Sequence, residues 1–542
     1  MKKIAITILF SLAAAAVYAQ TANDAYMLSE NQYEGTARTM AMGNAFTALG
    51  GDLGSININP AGSAVAGYSQ FTITPSLTYS VNTAQGAPLP GTDSRPSYFE
   101  NKVTSRISNS GVTNTGFMFN METGRKSGLK NITFGLVSNQ TNTWNGEINT
   151  NGTNASTSFM GAVANTATLN GLLGSELAAD DAYNFMPWRE VAAFQSGMIS
   201  NFGGKDDYFV GASEAINQDP ETGIYNIYLA GPIKQTFNRN VNGDKRDFVI
   251  NFGGNFSDFM YIGANLGFTS INYAEDWYLT EEAVNPNDFA IDLDNGDTMN
   301  FEKMKYTYGY WAEGSGVYGK FGAIITPGNG LRIGAAIQTP TVTTMNESWT
   351  EDGEAEFSTG KYTSYSPYGN AQYTFSSPMR ANFGLAYTYG KLGLISVDYE
   401  MADYSQMRYD TSNADRTYFE EVNRDIRNRY GVSHIFRAGL EAKPLPELAV
   451  RAGYSLTTSG EKYDSWGNPL SQKTQTASLG LGYSSKGSFF ADAAVQTRIL
   501  NSEYFMPYED YTDETGAIIE YAPEIVSHRS LWKAVLTLGW RF

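Results

Sequence analysis

The sequence predicts an all-β fold: a 14-stranded antiparallel transmembrane β-barrel with an N-terminal plug (hatch) in its lumen. Three observations predict it. About fourteen segments of roughly ten residues alternate apolar and polar side chains, the period of a strand with two unlike faces. The links between these segments alternate strictly between short and long, as turns and loops do around a membrane barrel. Mean hydropathy is -0.32, yet aromatics make up 13% of the chain and Gly numbers 55. That balance is too polar for helical spans and rich in residues that suit strands.

The chain has 542 residues, with Lys+Arg 37, Asp+Glu 55, two His and no Cys. The missing cysteines exclude disulfides, thiolate metal sites and a cysteine nucleophile. Two histidines leave no His-rich metal site, and no metal or cofactor is expected. Excess acid argues against nucleic-acid binding, which needs basic patches to meet phosphates. Lys2-Lys3, an apolar stretch Ile4 to Val17, and Val17-Tyr18-Ala19 before Gln20 predict a secretory signal peptide over 1–19. No later run of about 18 apolar residues follows. Residues 20–68 are assigned to the plug and 69–542 to the barrel.

The last strand is the clearest. Trp532, Ala534, Leu536, Leu538, Trp540 and Phe542 form one face, and Lys533, Val535, Thr537, Gly539 and Arg541 the other. Aromatics at both ends of one face fit the two interfaces of a bilayer. The terminal Trp540 and Phe542 are the candidate signal for the machinery that inserts barrels into the outer membrane. The same alternation marks segments near 69–81, 112–121, 131–142, 247–254, 259–273, 303–327, 331–346, 378–389, 391–403, 433–442, 447–457, 474–484, 488–499 and 531–542. Gly314-Ser315-Gly316 leaves the sixth open to division, and 366–376 is open as a further strand. An even count puts both termini on the short-turn side, which is periplasmic. Trp144, Trp277, Trp349 and Trp466 fall where strands meet long loops and are expected to form an aromatic girdle.

Residues 20–68 are too apolar and glycine-rich for a disordered tail, and a fourteen-stranded lumen is wider than its own side chains fill. The run Ala37 to Gly62, with Gly43, Gly50-Gly51-Asp52 and Asn59-Pro60-Ala61-Gly62, resembles the N-terminal hatch of the FadL/TodX family of outer-membrane transport proteins. The pieces Arg332-Ile333-Gly334 to Gln338-Thr339-Pro340, and Phe436-Arg437-Ala438-Gly439 to Arg451-Ala452-Gly453-Tyr454, are similar to that family too.

The resemblance implies passive uptake of hydrophobic small molecules, such as long-chain fatty acids or aromatic hydrocarbons. It also implies lateral release through a kink in the third strand, with movement of the hatch linking binding to release. It places the hatch motif on Asn59, Pro60, Ala61 and Gly62, with Arg38, Met40, Met42 and Phe46 as ligand-contact candidates. Gly135 is the lateral-gate candidate, because glycine within a strand often marks a bulge. Arg332, Arg437 and Arg451 are the lumen candidates for holding a carboxylate head.

The longest loop, 143–246, is expected to carry short apolar helices over Phe159–Leu173 and Pro187–Ile199 that offer an external apolar groove. Expected partners are outer-membrane lipid and lipopolysaccharide, the hydrophobic ligand, the insertion machinery, and a protein at the extracellular loops. The other reading is a binding or scaffold subunit of an assembly or secretion complex. An enzyme is not expected: His434 and His528 lack a serine motif at informative spacing, since Ser433 and Ser527 merely precede them.

Overall fold

The computed structural model describes residues 21–88, 98–218, 225–293, 296–411, 416–463, 470, 472–500 and 502–542. The expected signal peptide and Trp466 lie outside the described residues. Fourteen strands close into one antiparallel ring: β1 Gln70–Gly86, β2 Val103–Glu122, β3 Leu129–Thr143, β4 Ile233–Phe256, β5 Met260–Ala283, β6 Thr298–Gly328, β7 Leu331–Gln338 continued by Val342–Phe357, β8 Gly369–Ser376 continued by Arg380–Tyr389, β9 Gly393–Asp403, β10 Val432–Leu445, β11 Leu448–Thr458, β12 Lys473–Ser484, β13 Phe489–Ile499 and β14 Ile525–Arg541. β14 pairs back onto β1 from Gln70↔Arg541 to Gly86↔Ile525. Closure satisfies every strand edge, the condition for strands to stand in hydrocarbon.

The alternation read from the sequence sets which face is which. On β8, Phe383 and Leu385 point outward while Asn382 and Ala386 are buried inside. On β10, Phe436 and Leu440 are outside and Arg437 and Glu441 inside. Leu479 on β12 is 67% exposed and Thr537 on β14 is fully buried. Large apolar residues on the outside and polar ones within are the reverse of a soluble core, and mark a membrane-spanning wall.

The segment containing Gly314-Ser315-Gly316 is one strand of 31 residues. Residues 369–376 are the far half of β8 rather than an added strand, interrupted around Pro378. Several strands run well past the expected limits at the long-loop end. β4 starts at Ile233, fourteen residues before the apolar alternation does. Beyond the bilayer both faces of a strand meet water or protein, so the pairing persists while its period-two signature is lost.

The girdle expected of Trp144, Trp277 and Trp349 is not there. All three are buried, 7–8% exposed, and face inward. Strand parity decides this: Trp349 shares its side with Met345 and Glu347, and Trp277 with Ile271 and Tyr273. At the short-turn end an outward-facing aromatic cluster of Phe71, Phe117 and Phe489 gathers around Trp540, whose indole lies 6.0 Å from the Phe71 ring and 5.6 Å from that of Phe489. No helix among the described residues is long and apolar enough to cross a membrane.

Candidate functional site

The plug comprises α1 Ala22–Ser29, α2 Ala37–Ala41, α3 Ser55–Ile58 and α4 Gly62–Val65, joined by tight turns. Gly43, Gly50 and Gly51 have φ of 61°, 67° and 74°, which only glycine adopts without strain. The hatch motif acts as a clasp. The Asn59 side-chain amide donates to the Thr47 carbonyl at 2.7 Å and to the wall carbonyls of Ala323 at 3.1 Å and Ala335 at 3.3 Å. Its Oδ1 accepts from the Ala61 N–H at 3.1 Å. Asn251 of β4 donates to the Pro60 carbonyl at 3.0 Å, and Asn265 of β5 to that of Ile56 at 2.9 Å. Gly62 packs against Ser55 and Gly50, and its carbonyl accepts from Gly51 N–H at 2.8 Å.

Why the wall is glycine at this level follows from distance. A Cβ at Gly322 would stand 1.9 Å from Asn59 Oδ1, at Gly263 2.3 Å from the Pro60 carbonyl carbon, and at Gly453 2.1 Å from Gly43 N. Gly334 and Gly439 press similarly on Thr47 and Met42. The barrel therefore carries an inner belt without side chains, into which the plug backbone seats.

Charge locks the same surface. Arg38 reaches Glu441 at 3.0 Å, and Glu441 also accepts from Arg451 at 2.6 Å, which in turn meets Asp492 at 2.5 Å. Glu400 joins Arg380 at 3.1 Å and Arg437 at 2.7 Å, and Arg380 donates to the Ser29 carbonyl at 2.8 Å. Glu34 of the plug is paired with Lys533 and lies 3.8 Å from Arg498. Lys320 donates to the Asn57 carbonyl at 2.7 Å. Buried ions of this kind need matched partners, and removing one leaves the other exposed to a large desolvation penalty.

The candidates from the sequence thus divide. Arg437 and Arg451 already hold wall carboxylates, and Arg38 holds Glu441 while its guanidinium lies over the Phe46 ring at 5.4 Å. Arg332 donates to the Ala48 carbonyl at 3.0 Å and makes no ion pair among the described residues, and its Nη2 has no hydrogen-bond partner there. Met40 packs with Ala494 and Val535, and Met42 and Phe46 with Tyr33, Leu49 and Ile58. Gly135 itself pairs in register on both sides, Gly135↔Met118 and Gly135↔Asn251, and the register irregularities of β3 against β4 lie to either side of it, at Leu129/Asn131 and Gln140/Asn142. A Cβ at Gly135 would sit at ordinary contact distance from Ile56 of the plug and Asn251, which removes the steric need for a bulge.

Sequence reasoning missed Glu34, Glu400, Glu441 and Asp492, and also Asp398 of β9, which accepts from the Thr47 N–H of the plug at 2.7 Å. The available signal was their parity: each wall carboxylate falls on the polar face of its strand.

Above the plug, aromatic side chains fill the lumen. Trp188 and Trp349 lie 5.6 Å apart, Trp144 and Tyr273 5.5 Å, and Tyr26 stacks on Tyr430 at 4.9 Å. This cluster also contains Ala22, Ala25 and Leu28 of α1. The loop 143–246 closes over it with α5 Phe159–Leu169, α6 Gly174–Leu177 and α7 Trp188–Gln195. The two expected helices form, but their apolar faces turn inward. Phe159, Met160, Val163 and Val191 are buried against Phe237, Leu279, Phe301 and Tyr306 of the wall. The external groove expected on these helices is therefore replaced by a cap. Beside the plug, a polar cavity of about 60 Å3 is lined by Tyr33, Asn44, Arg437, Thr476, Gln496 and Arg498, room for about four waters.

The two histidines stand on different strands, His434 on β10 and His528 on β14. His434 Nδ1 is 2.8 Å from Tyr399 Oη of β9, and His528 Nδ1 is 2.9 Å from Ser502 Oγ in the loop before β14. Ser433 and Ser527 are committed to the Thr458 carbonyl at 2.6 Å and Asn82 at 2.5 Å.

Fold and site together define a plugged, fourteen-stranded membrane barrel. Among solved structures its fold is similar to that of a Pseudomonas aeruginosa FadL homologue, with 10% identity, 94% of this chain and 98% of that chain covered, and a TM-score of 0.51. It is likewise similar to the P. putida toluene transporter TodX, at 12% identity, 94% and 99% coverage and a TM-score of 0.50. The resemblance to the FadL/TodX family expected from the motifs thus holds at the level of fold. No family model and no curated protein matches the sequence.

Proposed function

We propose that this protein sits in the bacterial outer membrane, termini periplasmic, and passes hydrophobic small molecules into the bilayer without energy input. Long-chain fatty acids or aromatic hydrocarbons are the cargo class. The observation that carries this reading is the aromatic layer between cap and plug, where a hydrophilic pore would instead hold water. Cargo affinity there would come from burying apolar surface, about 25 cal/mol per Å2. The fold neighbour described as a toluene transporter supports the same cargo class. Arg332, with an unpartnered Nη2, is the basic candidate for a carboxylate head. Gly135 remains the candidate for lateral release, since Ile56 packs beside it and would leave with a moving plug. Deleting residues 37–62 should abolish uptake of labelled oleate by whole cells, with unchanged barrel level in the membrane as the control. Undiminished uptake would sink the mechanism.

A second reading, a binding or scaffold subunit of an outer-membrane assembly or secretion complex, is favoured by the inward-facing, closed cap. Purification in mild detergent separates the two: a stoichiometric protein partner supports the scaffold, and retained small hydrophobic molecules support transport.

A further inference from the structure

The outer wall of the barrel is not uniformly bulky. On the face of β3 to β6, Gly254 stands in register between Ile132 and Ile262, and Ala264 between Phe252 and Phe321. Phe252 and Phe321 project outward at 56% and 60% exposure. The small residues between the large ones leave an open apolar groove of about 530 Å3 that ends at Leu129 and Phe256.

Leu129 and Phe256 flank the two short turns at this end, which are stapled together. Ser257 N–H donates to the Gly128 carbonyl at 2.9 Å, and Gly128 N–H to Ser257 Oγ at 2.8 Å. The first of these turns reads Thr123-Gly124-Arg125-Lys126-Ser127-Gly128 and is followed by Lys130. Lys130 is paired with Asp258. Arg125 and Lys126 are exposed and make no ion pair among the described residues. No other short turn at this end carries more than one lysine or arginine: Lys391 and Lys486 each stand singly. The most basic turn of the rim therefore closes the end of the groove.

We infer that this groove and turn form a binding site for one anionic phospholipid, with an acyl chain along Gly254 and Ala264 and the phosphate against Arg125 and Lys126. A passage for cargo does not explain the groove. Its back wall is the unbroken pairing Gly253↔Gly263↔Gly322, whose lumen side is sealed by Ser63, Pro60 and Asn59. A hydrophobic partner protein does not explain the two unpaired cations. A lipid with an apolar tail and an anionic head satisfies both halves, since basic residues at a bilayer surface each favour anionic lipid by about fivefold. The occupant would lie one backbone thickness from the hatch motif.

This site rests on reading the apolar belt as membrane-facing, and the test separates the two. The full-length protein is reconstituted into nanodiscs of palmitoyl-oleoyl phosphatidylcholine with increasing palmitoyl-oleoyl phosphatidylglycerol, then released and weighed by native mass spectrometry. One phosphatidylglycerol retained in preference to phosphatidylcholine is expected. The double variant Arg125→Glu with Lys126→Glu should lower that retention more than about tenfold. Gly254→Leu, which fills the groove, should lower it with the turn charges intact. Equal retention of the two lipids, or unchanged preference in the charge-reversed variant, overturns the site while leaving the membrane barrel standing. Failure of the unmodified protein to enter nanodiscs overturns both.

Discussion

At the scale of single residues, the plug is held by absence as much as by contact. Gly322 illustrates it, because any side chain there meets Asn59 Oδ1 at 1.9 Å and Pro60 Cδ at 3.0 Å. Asn59 cannot retreat cheaply, since its amide is shared among the plug and two wall carbonyls. Overpacking of this kind costs about 1–3 kcal/mol. Gly322→Ala is therefore expected to lower the urea midpoint of the detergent-solubilised barrel and to open the plug to proteolysis after Arg38. Gly319→Ala on the same strand, where a Cβ finds nothing closer than 3.8 Å, should leave both unchanged. Equal effects from the two substitutions would mean that the belt of glycines serves the strands rather than the plug.

At the scale of elements, the cap docks onto the wall and carries buried carboxylates of its own that tune the docking. Glu190 lies at the start of α7, and burial pushes its carboxyl up to about 7 against the opposing pull of Arg189. Burial likewise pushes Glu214 up to about 7, although Gly211 N–H donates to it at 2.8 Å. Below the ordinary carboxyl value of 4.5 both the docked and undocked cap are protonated at these sites. Between 4.5 and about 7 the undocked cap ionises first, so docking weakens as pH rises through that window and levels off above it. Amide exchange of residues 159–195, corrected for its intrinsic pH dependence, should show more protection at pH 5 than at pH 8. Glu190→Gln and Glu214→Gln should flatten the difference; a profile independent of pH in the unsubstituted protein would contradict it. The cap also shows where the sequence stops being readable. Fourteen strands, their faces and the two apolar helices are legible because the bilayer imposes one apolar side on each strand, and a helix needs an apolar stripe to bury. The bilayer imposes nothing above its surface. There the parity of Trp277 and Trp349, not their place near a loop, decides that they point inward. The ion pairs of Glu441 and Glu400 join residues whose neighbourhood exists only once the ring has closed and the plug has entered.

At the scale of the whole molecule, cap, aromatic layer, plug and wall form one continuous stack. Trp188 of α7 packs in the cluster that also buries Ala22, Ala25 and Leu28 of α1, and the plug then runs on to the clasp at Asn59. Any ligand entering the aromatic layer must displace contacts of both cap and plug, so the proposed transport predicts that the plug moves. The chain's lack of cysteine makes that requirement testable. Ser63 Oγ of α4 and Thr133 Oγ1 of β3 lie 2.9 Å apart, which brings cysteines at the two positions within disulfide reach. Thr133 is two residues from Gly135, so the cross-link fastens the plug to the strand proposed to open. Ser63→Cys with Thr133→Cys, oxidised in the membrane, is expected to cut uptake of labelled oleate more than about tenfold, a barrier change of about 1.4 kcal/mol or more. Reduction should restore it, and each single substitution should transport normally. Full uptake by the oxidised form would show that cargo passes a fixed plug, and the ion pairs of Glu34, Glu400 and Glu441 would then be permanent fastenings rather than a latch.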